Sequence, residues 1–244
     1  MFPESQKEYL HLYKKSAFSD DVILAKGSKE FNSTIHAFKL ANNNSFTESN
    51  EMHQQPPLPE SFINRFSISL PLSTFTKAEH YILPYSKLIF ATNQLGFIDI
   101  ETDNDGIFRR IDLFKEYNNH VYPSLAMATA LSYFQNNSIE INKNKQVIQF
   151  NDTSIPLTNQ NQLLVKMKHK FQTFSASDVF QTIRALQEGK INDILISPLQ
   201  FKNKFIFFGV SAKESQDLLN SSTKINTPSM YVHASVLDNI LSKD

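Results

Sequence analysis

Phe97-Ile98-Asp99-Ile100-Glu101-Thr102-Asp103-Asn104-Asp105-Gly106-Ile107-Phe108-Arg109-Arg110-Ile111-Asp112-Leu113-Phe114 is the stretch from which the fold is read. Residues 97–101 and 107–114 are two strand-like runs, and Asp103-Asn104-Asp105-Gly106 lies between them. Asp-Gly between such runs supplies the positive φ that a tight turn demands, so the segment predicts a β-hairpin. Strand alternation would send Arg109 and Arg110 to opposite faces, so at most one faces a given pocket. Each is expected to pair with Asp99, Glu101 or Asp112 across the hairpin, or to capture an anion. Glu101, Asp103 and Asp105, with Gly106 at position six and Asp112 at twelve, also approximate the spacing of a calcium loop. Flanking strands and two arginines inside the loop oppose a divalent cation, and the turn is the better reading.

Working outward, residues 83–95 carry apolar positions in helical register and Gly96 follows in a C-cap position. Residues 34–40 look like a strand. Asp20 or Asp21 could cap a short helix that stops at Gly27. Ser5-Gln6-Lys7-Glu8 has capping-box spacing and precedes the stripe Tyr9, Leu10, Leu12, Tyr13. Residues 41–60, with three consecutive asparagines and Pro56-Pro57-Leu58-Pro59, read as a flexible insertion. Downstream, Pro123 suits the first position of a helix whose apolar face holds Leu125, Met127, Ala128, Leu131 and Phe134. Residues 139–167 read as two or three antiparallel strands, and Ser175-Ala176-Ser177-Asp178 opens a helix running toward Gly189. Residues 205–210 form a continuous apolar run, expected to be a strand buried on both faces. Residues 231–241 are the last amphipathic helix. Strands and helices alternate without a strict βαβ rhythm, which predicts an α/β (α+β) class: a mixed central β-sheet flanked by helices, in a single domain.

The 244 residues balance 24 basic against 24 acidic side chains, which argues against a nucleic-acid partner. No cysteine is present, so disulfides and thiolate chemistry are excluded. No apolar run approaches the roughly 18 residues of a membrane span, and the opening residues lack a signal peptide's basic and apolar regions. The chain as it stands is therefore expected to be soluble and not exported. Only Arg65, Arg109, Arg110 and Arg184 are arginine, and two of them adjoin. The histidines, at 11, 36, 53, 80, 120, 169 and 233, show no zinc spacing, so neither metal nor cofactor is expected. His233, in the final helix, is expected to be a packed or capping residue, with pH sensing as the alternative. Ser124 or Ser211 with His233 and Asp217 or Asp238 would furnish a hydrolase triad, but no Gly-x-Ser-x-Gly elbow accompanies them. The five glycines form no phosphate-cradling loop.

Four segments in order resemble one family. They are Gly96-Phe97-Ile98-Asp99 with Asp103 through Arg110; Tyr122-Pro123-Ser124-Leu125-Ala126; Thr173-Phe174-Ser175-Ala176-Ser177-Asp178-Val179; and Phe208-Gly209-Val210-Ser211-Ala212, through Asp217 and Pro228, to His233-Ala234-Ser235-Val236-Leu237-Asp238-Asn239-Ile240-Leu241. Together they resemble the C-terminal two-thirds of a CHASE2 domain over residues 20–241, with residues 1–19 as an N-terminal remnant. The resemblance implies an extracytoplasmic (periplasmic) sensor, not an enzyme. Such a domain belongs to a bacterial membrane signalling protein whose cytoplasmic output is a nucleotide cyclase, a histidine kinase or a Ser/Thr kinase. It implies an undefined small-molecule or protein signal, attachment to the membrane through flanking spans, and a possible homodimer. The family's first strand-and-helix section, its spans and its output domain find no counterpart, and Ser229 stands where the family usually has glycine. A missing strand would leave the sheet an exposed edge. Candidate ligand-binding positions are Arg109, Arg110, Asp103, Asp105, His233 and Asp217. The alternatives are a stand-alone binding or scaffold protein and a hydrolase.

Overall fold

The computed structural model describes residues 19–42, 57–72, 75–135, 138–142, 146–168, 170–211 and 218–242. The expected N-terminal capping box, most of the 41–60 insertion and Asp217 lie outside the described residues.

Helix α1 (Ser19–Phe31) leads into β1 (Ile35–Ala41). It passes through Gly27 rather than stopping there: Ala25 before it packs against Leu88 and Ala91, and Ser28 after it is buried and hydrogen-bonded to His36. Helix α2 (Glu60–Phe66) follows, then β2 (Thr76–Lys77), β3 (His80–Ile82), α3 (Ser86–Ala91) and β4 (Gln94–Phe97). β1 pairs in parallel with β4 and antiparallel with β3. The helix expected over residues 83–95 is thus cut to six residues, and Gly96 is a strand residue. A Cβ on Gly96 would lie 2.4 Å from the Leu125 Cα, so glycine here permits a close approach of two backbones instead of capping a helix.

Strands β5 (Ile107–Phe108), β6 (Arg110–Ile111), β7 (Phe114–Tyr117) and β8 (His120–Pro123) come next. β7 and β8 form an antiparallel hairpin turned by Asn118 and Asn119, whose φ angles are 48° and 62°, as a two-residue hairpin turn requires. β2 pairs in parallel with β7. Residues 76–82 thereby join two ladders: Ala78 N donates to Glu116 O at 2.7 Å and Glu79 N to Ala41 O at 3.0 Å. A parallel bridge between Phe97 and Ser124 joins β4 to the end of β8 on the other side. Phe38, Leu40, Phe62, Phe66, Leu95, Phe97 and Tyr122 fill the space between the two ladders.

Pro123 ends β8 and does not begin the helix; Ser124 is the N-cap, its hydroxyl accepting from Met127 N at 3.3 Å. Helix α4 (Leu125–Phe134) packs against the last helix, α6 (Ser229–Ser242). Met127, Leu131, Val232, Val236, Leu237 and Ile240 share the larger core with Phe108, Phe114, Ile148 and Phe150. The expected strands between 139 and 167 are β9 (Ile139–Asn142), β10 (Val147–Phe150) and β11 (Thr153–Pro156), an antiparallel meander, and β12 (Leu163–Leu164), which pairs with β6. Helix α5 (Ala176–Gln187) is capped by Ser175 as its sequence predicts. β13 (Leu218–Ser221) pairs with β5 in parallel and with β14 (Thr227–Pro228).

Two expectations fail at the centre. Residues 97–101 and 107–114 do not form a hairpin, because each run finds a different partner. Ile98 N continues toward β1 by donating to Phe38 O, while β5 and β6 are taken by β13 and β12. Residues 205–210 are not a buried strand. Phe205, Ile206, Phe208 and Val210 are exposed, and no described segment supplies the ladder that a doubly covered strand needs.

Candidate functional site

The turn itself forms as its residues dictate. Gly106 N donates to Asp103 O at 2.8 Å, Asp103 N donates to Ile107 O at 3.0 Å, and Gly106 has φ +75°. Asp105 Oδ1 accepts from Ile107 N at 3.0 Å, fixing the carboxylate over the turn.

Both arginines converge on this turn. Arg109 grips Asp105 with two bonds, Nη1–Oδ1 at 3.0 Å and Nη2–Oδ2 at 2.7 Å, and reaches Asp103 Oδ2 at 2.9 Å. Arg110 meets Asp103 through Nε at 3.1 Å and Nη2 at 3.3 Å, and donates from Nη1 to Gln160 Oε1 at 2.9 Å. The expectation that at most one faces a given site is corrected: Arg109 sits between β5 and β6, within neither strand, and both guanidinium groups reach Asp103. Their partners are Asp103 and Asp105, not Asp99, Glu101 or Asp112. Hydrogen bonds from Arg109 hold the Asp105 carboxyl down at about 2 and that of Asp103 below its ordinary value. The Arg109 guanidinium is pushed up in return, chiefly by Asp105. The carboxylate oxygens that a calcium ion would need are occupied by guanidinium groups.

Beside this cluster lies a second one that the sequence did not reveal. Lys115, on β7, is buried; its Nζ donates to Leu40 O at 3.2 Å and Glu101 Oε1 at 3.1 Å, and stands 5.5 Å from the centre of the Phe97 ring. Burial raises the Asp99 and Asp112 carboxyls above their ordinary values, against the pull of Lys115 on both. Leu40 N donates to Asp99, and Thr76 Oγ1 donates to Asp112 Oδ1 at 3.1 Å. Nothing in the local pattern marks Lys115, because a lysine in a strand ordinarily points to water. Tertiary packing encloses it, with the Leu40 carbonyl, Glu101 and the Phe97 ring around the ammonium.

The route from the arginines to α6 is short. Residues 163–164 pair with Arg110 and Ile111, and Val165 N donates to Arg109 O at 2.9 Å. The same segment then reaches α6. Asn239 Oδ1 accepts from Lys166 N at 2.9 Å and its Nδ2 donates to Lys166 O at 3.1 Å; Ser235 Oγ accepts from Lys168 N at 3.0 Å. Lys168 Nζ also pairs with Asp238 at 2.8 Å. Residues 160–168 are thus a strap tied to the arginine cluster at one end and to α6 at the other.

His233 stands apart from that cluster. Its ring is enclosed in the core face of α6, neither nitrogen meets a hydrogen-bond partner at bonding geometry among the described residues, and burial lowers it to about 4, weakly opposed by the nearby Ile98 backbone. It is packed, as expected, and does not cap anything. The hydrolase triad does not assemble from the described residues: Ser124 is the buried cap of α4, Asp238 pairs with Lys168, and His233 bonds to neither. Among the described residues no helix is long and apolar enough to cross a membrane.

No curated protein and no solved structure matches the chain. The model of the CHASE2 domain does, over residues 2–244. The match spans the Asp-Gly turn, the strap and the closing helix alike, and the chain therefore belongs to the CHASE2 family of extracytoplasmic sensory domains.

Proposed function

We propose that this domain is the periplasmic sensor of a bacterial membrane signal-transduction protein and regulates a cytoplasmic cyclase or kinase. Membership of a sensory family supports the role. The signal, in this reading, is a small molecule or protein segment bearing an anionic group. It competes with Asp103 and Asp105 for Arg109 and Arg110, whose planar guanidinium groups suit bidentate capture. The output lever is α6, and the membrane and a second receptor subunit are its partners in the assembled protein.

The observation that carries the reading is the shared strap: one segment accepts the arginine strand on one side and holds α6 through Asn239 and Ser235 on the other. A ligand that binds one arrangement of the arginines better shifts the population of strap and helix together. Hydrogen exchange tests this in the whole chain. Arg109→Ala combined with Arg110→Ala should speed amide exchange of residues 232–240 by about tenfold, a local opening of the helix. Arg184→Ala, which breaks only the exposed pair with Glu188 on α5, should leave those amides unchanged. Equal exchange in both variants would sink the coupling.

A further inference from the structure

His233 breaks a rule that its neighbours on α6 keep. The other buried polar residues of this helix, Ser235 and Asn239, are bonded to the strap. His233 is 2% exposed, yet neither ring nitrogen meets a partner at bonding geometry among the described residues. An imidazole enclosed in that way costs stability that an apolar ring of similar size would not. Such uncompensated departures from good packing are expected where a residue serves function. Its surroundings also hold nothing to balance a positive charge. α4, packed against α6, carries Tyr133 as its one ionisable residue, and that exposed ring stacks edge-on against Phe205. β4, which leads to the nearby Ile98 backbone, and β14 carry none. After β4, Asp99 accepts from Leu40 N and Glu101 pairs with Lys115. On the strap, Lys166 meets α6 through its backbone and Lys168 is taken by Asp238, while Tyr231 of α6 bonds Thr173. Burial disfavours the charged ring, and the Ile98 backbone opposes it only weakly.

The helix that carries this ring is built to be released. Among the described residues no backbone–backbone hydrogen bond joins α6 to another element. Side chains hold it: Val232, Val236, Leu237 and Ile240 in the core, and the polar contacts of Tyr231, Ser235, Asp238 and Asn239. It leaves without breaking a β-ladder, as a local opening. We propose that His233 is an acid latch: when its ring takes up a proton the imidazolium cannot remain in this interface, and α6 comes off α4 and slackens the strap. A domain outside the cytoplasm meets the acidity of its surroundings directly, and histidine is the side chain whose ordinary titration lies closest to neutral. The release of α6 is a property of the fold and needs no ligand at the arginines; that it carries a signal rests on the sensor reading.

Hydrogen exchange of the whole chain at about pH 6.5 and 4.5, corrected for the intrinsic exchange rate at each pH, reads the opening of α6. An opening that lets the ring take up one proton should raise the open fraction seen by the amides of residues 234–240 about 30-fold at the lower pH. The amides of β1 should keep their protection. His233→Phe, which takes no proton, should show no such rise. His233→Gln, also without a proton to gain, gives the same reading if the phenylalanine ring does not fit. Arg109→Ala combined with Arg110→Ala keeps the imidazole and should retain the wild-type acid dependence, so a failure of the arginine reading leaves the latch standing. Wild-type amides of α6 that ignore pH overturn the latch, as does an equal rise in both His233 variants. Protection lost in β1 together with α6 overturns it too, because the event is then global unfolding and not the release of one helix.

Discussion

His233 carries its consequence in its surroundings: an imidazole with no hydrogen-bond partner among the described residues, enclosed by the core face of α6, its pKa lowered by burial to about 4. Above the ordinary histidine value of 6.5 it is neutral in both folded and unfolded chains. Below 6.5 the unfolded chain takes up the proton first, so stability falls as pH drops from about 6.5 to about 4. The slope is about 1.4 kcal/mol per pH unit and the total about 3 kcal/mol. Asp105 acts in a lower window: its carboxyl is held at about 2, so its contribution is present above about 4 and is lost as pH falls toward 2. Asp99 and Asp112, raised by burial, act in the opposite sense and regain stability as they protonate. The difference between wild type and His233→Phe isolates the histidine. Urea unfolding at pH 7 and pH 4.5 should show the wild type losing more stability than the variant; equal losses would mean that the ring is hydrated.

At the scale of elements, two glycines make opposite predictions. Gly96 in β4 faces the backbone of Leu125 at the start of α4, where a Cβ would be 2.4 Å from the Leu125 Cα. Gly96→Ala must push β4 and α4 apart, and should cost about 1–3 kcal/mol or more in chemical denaturation. Gly27 lies inside α1 with nothing within 4 Å of its would-be Cβ. Gly27→Ala should be neutral or stabilise by up to about 1 kcal/mol, since alanine loses less backbone entropy in a helix. Destabilisation by both would mean that the β4–α4 approach is not special. The turns tell a related story: asparagine, not glycine, occupies most left-handed positions, including Asn32, Asn118, Asn119, Asn151, Asn161, Asn203 and Asn226. A chain with five glycines turns with asparagine instead.

For the whole molecule, the docking of α6 is decisive. It closes the larger core through Val232, Val236, Leu237 and Ile240, and its polar residues Ser235 and Asn239 tie the strap. Leu237→Asp places a carboxylate where only 2% of the side chain is exposed, and should cost about 3 kcal/mol or more, enough to lower the thermal midpoint by many degrees. Unchanged melting would show the helix undocked. The helix closes the core and holds the strap, and the strap holds the arginine strand, so in the proposed reading a signal at the arginines reaches the helix through that one segment.

What the amino-acid order determined alone was local. The Asp103–Gly106 turn, the capped start of α5, the meander of β9 to β11 and the apolar face of α6 follow from φ requirements, hydroxyl caps and periodicity, which depend only on neighbours in the chain. The family resemblance was legible for the same reason, through short motifs in fixed order. Tertiary structure alone decided the pairing of strands. It split the expected hairpin between β12 and β13, brought both arginines onto one turn, enclosed Lys115 and left residues 205–210 without a ladder. A strand's partner is chosen by competition among distant segments for hydrogen bonds and buried surface, and that competition is settled only when the chain has come together.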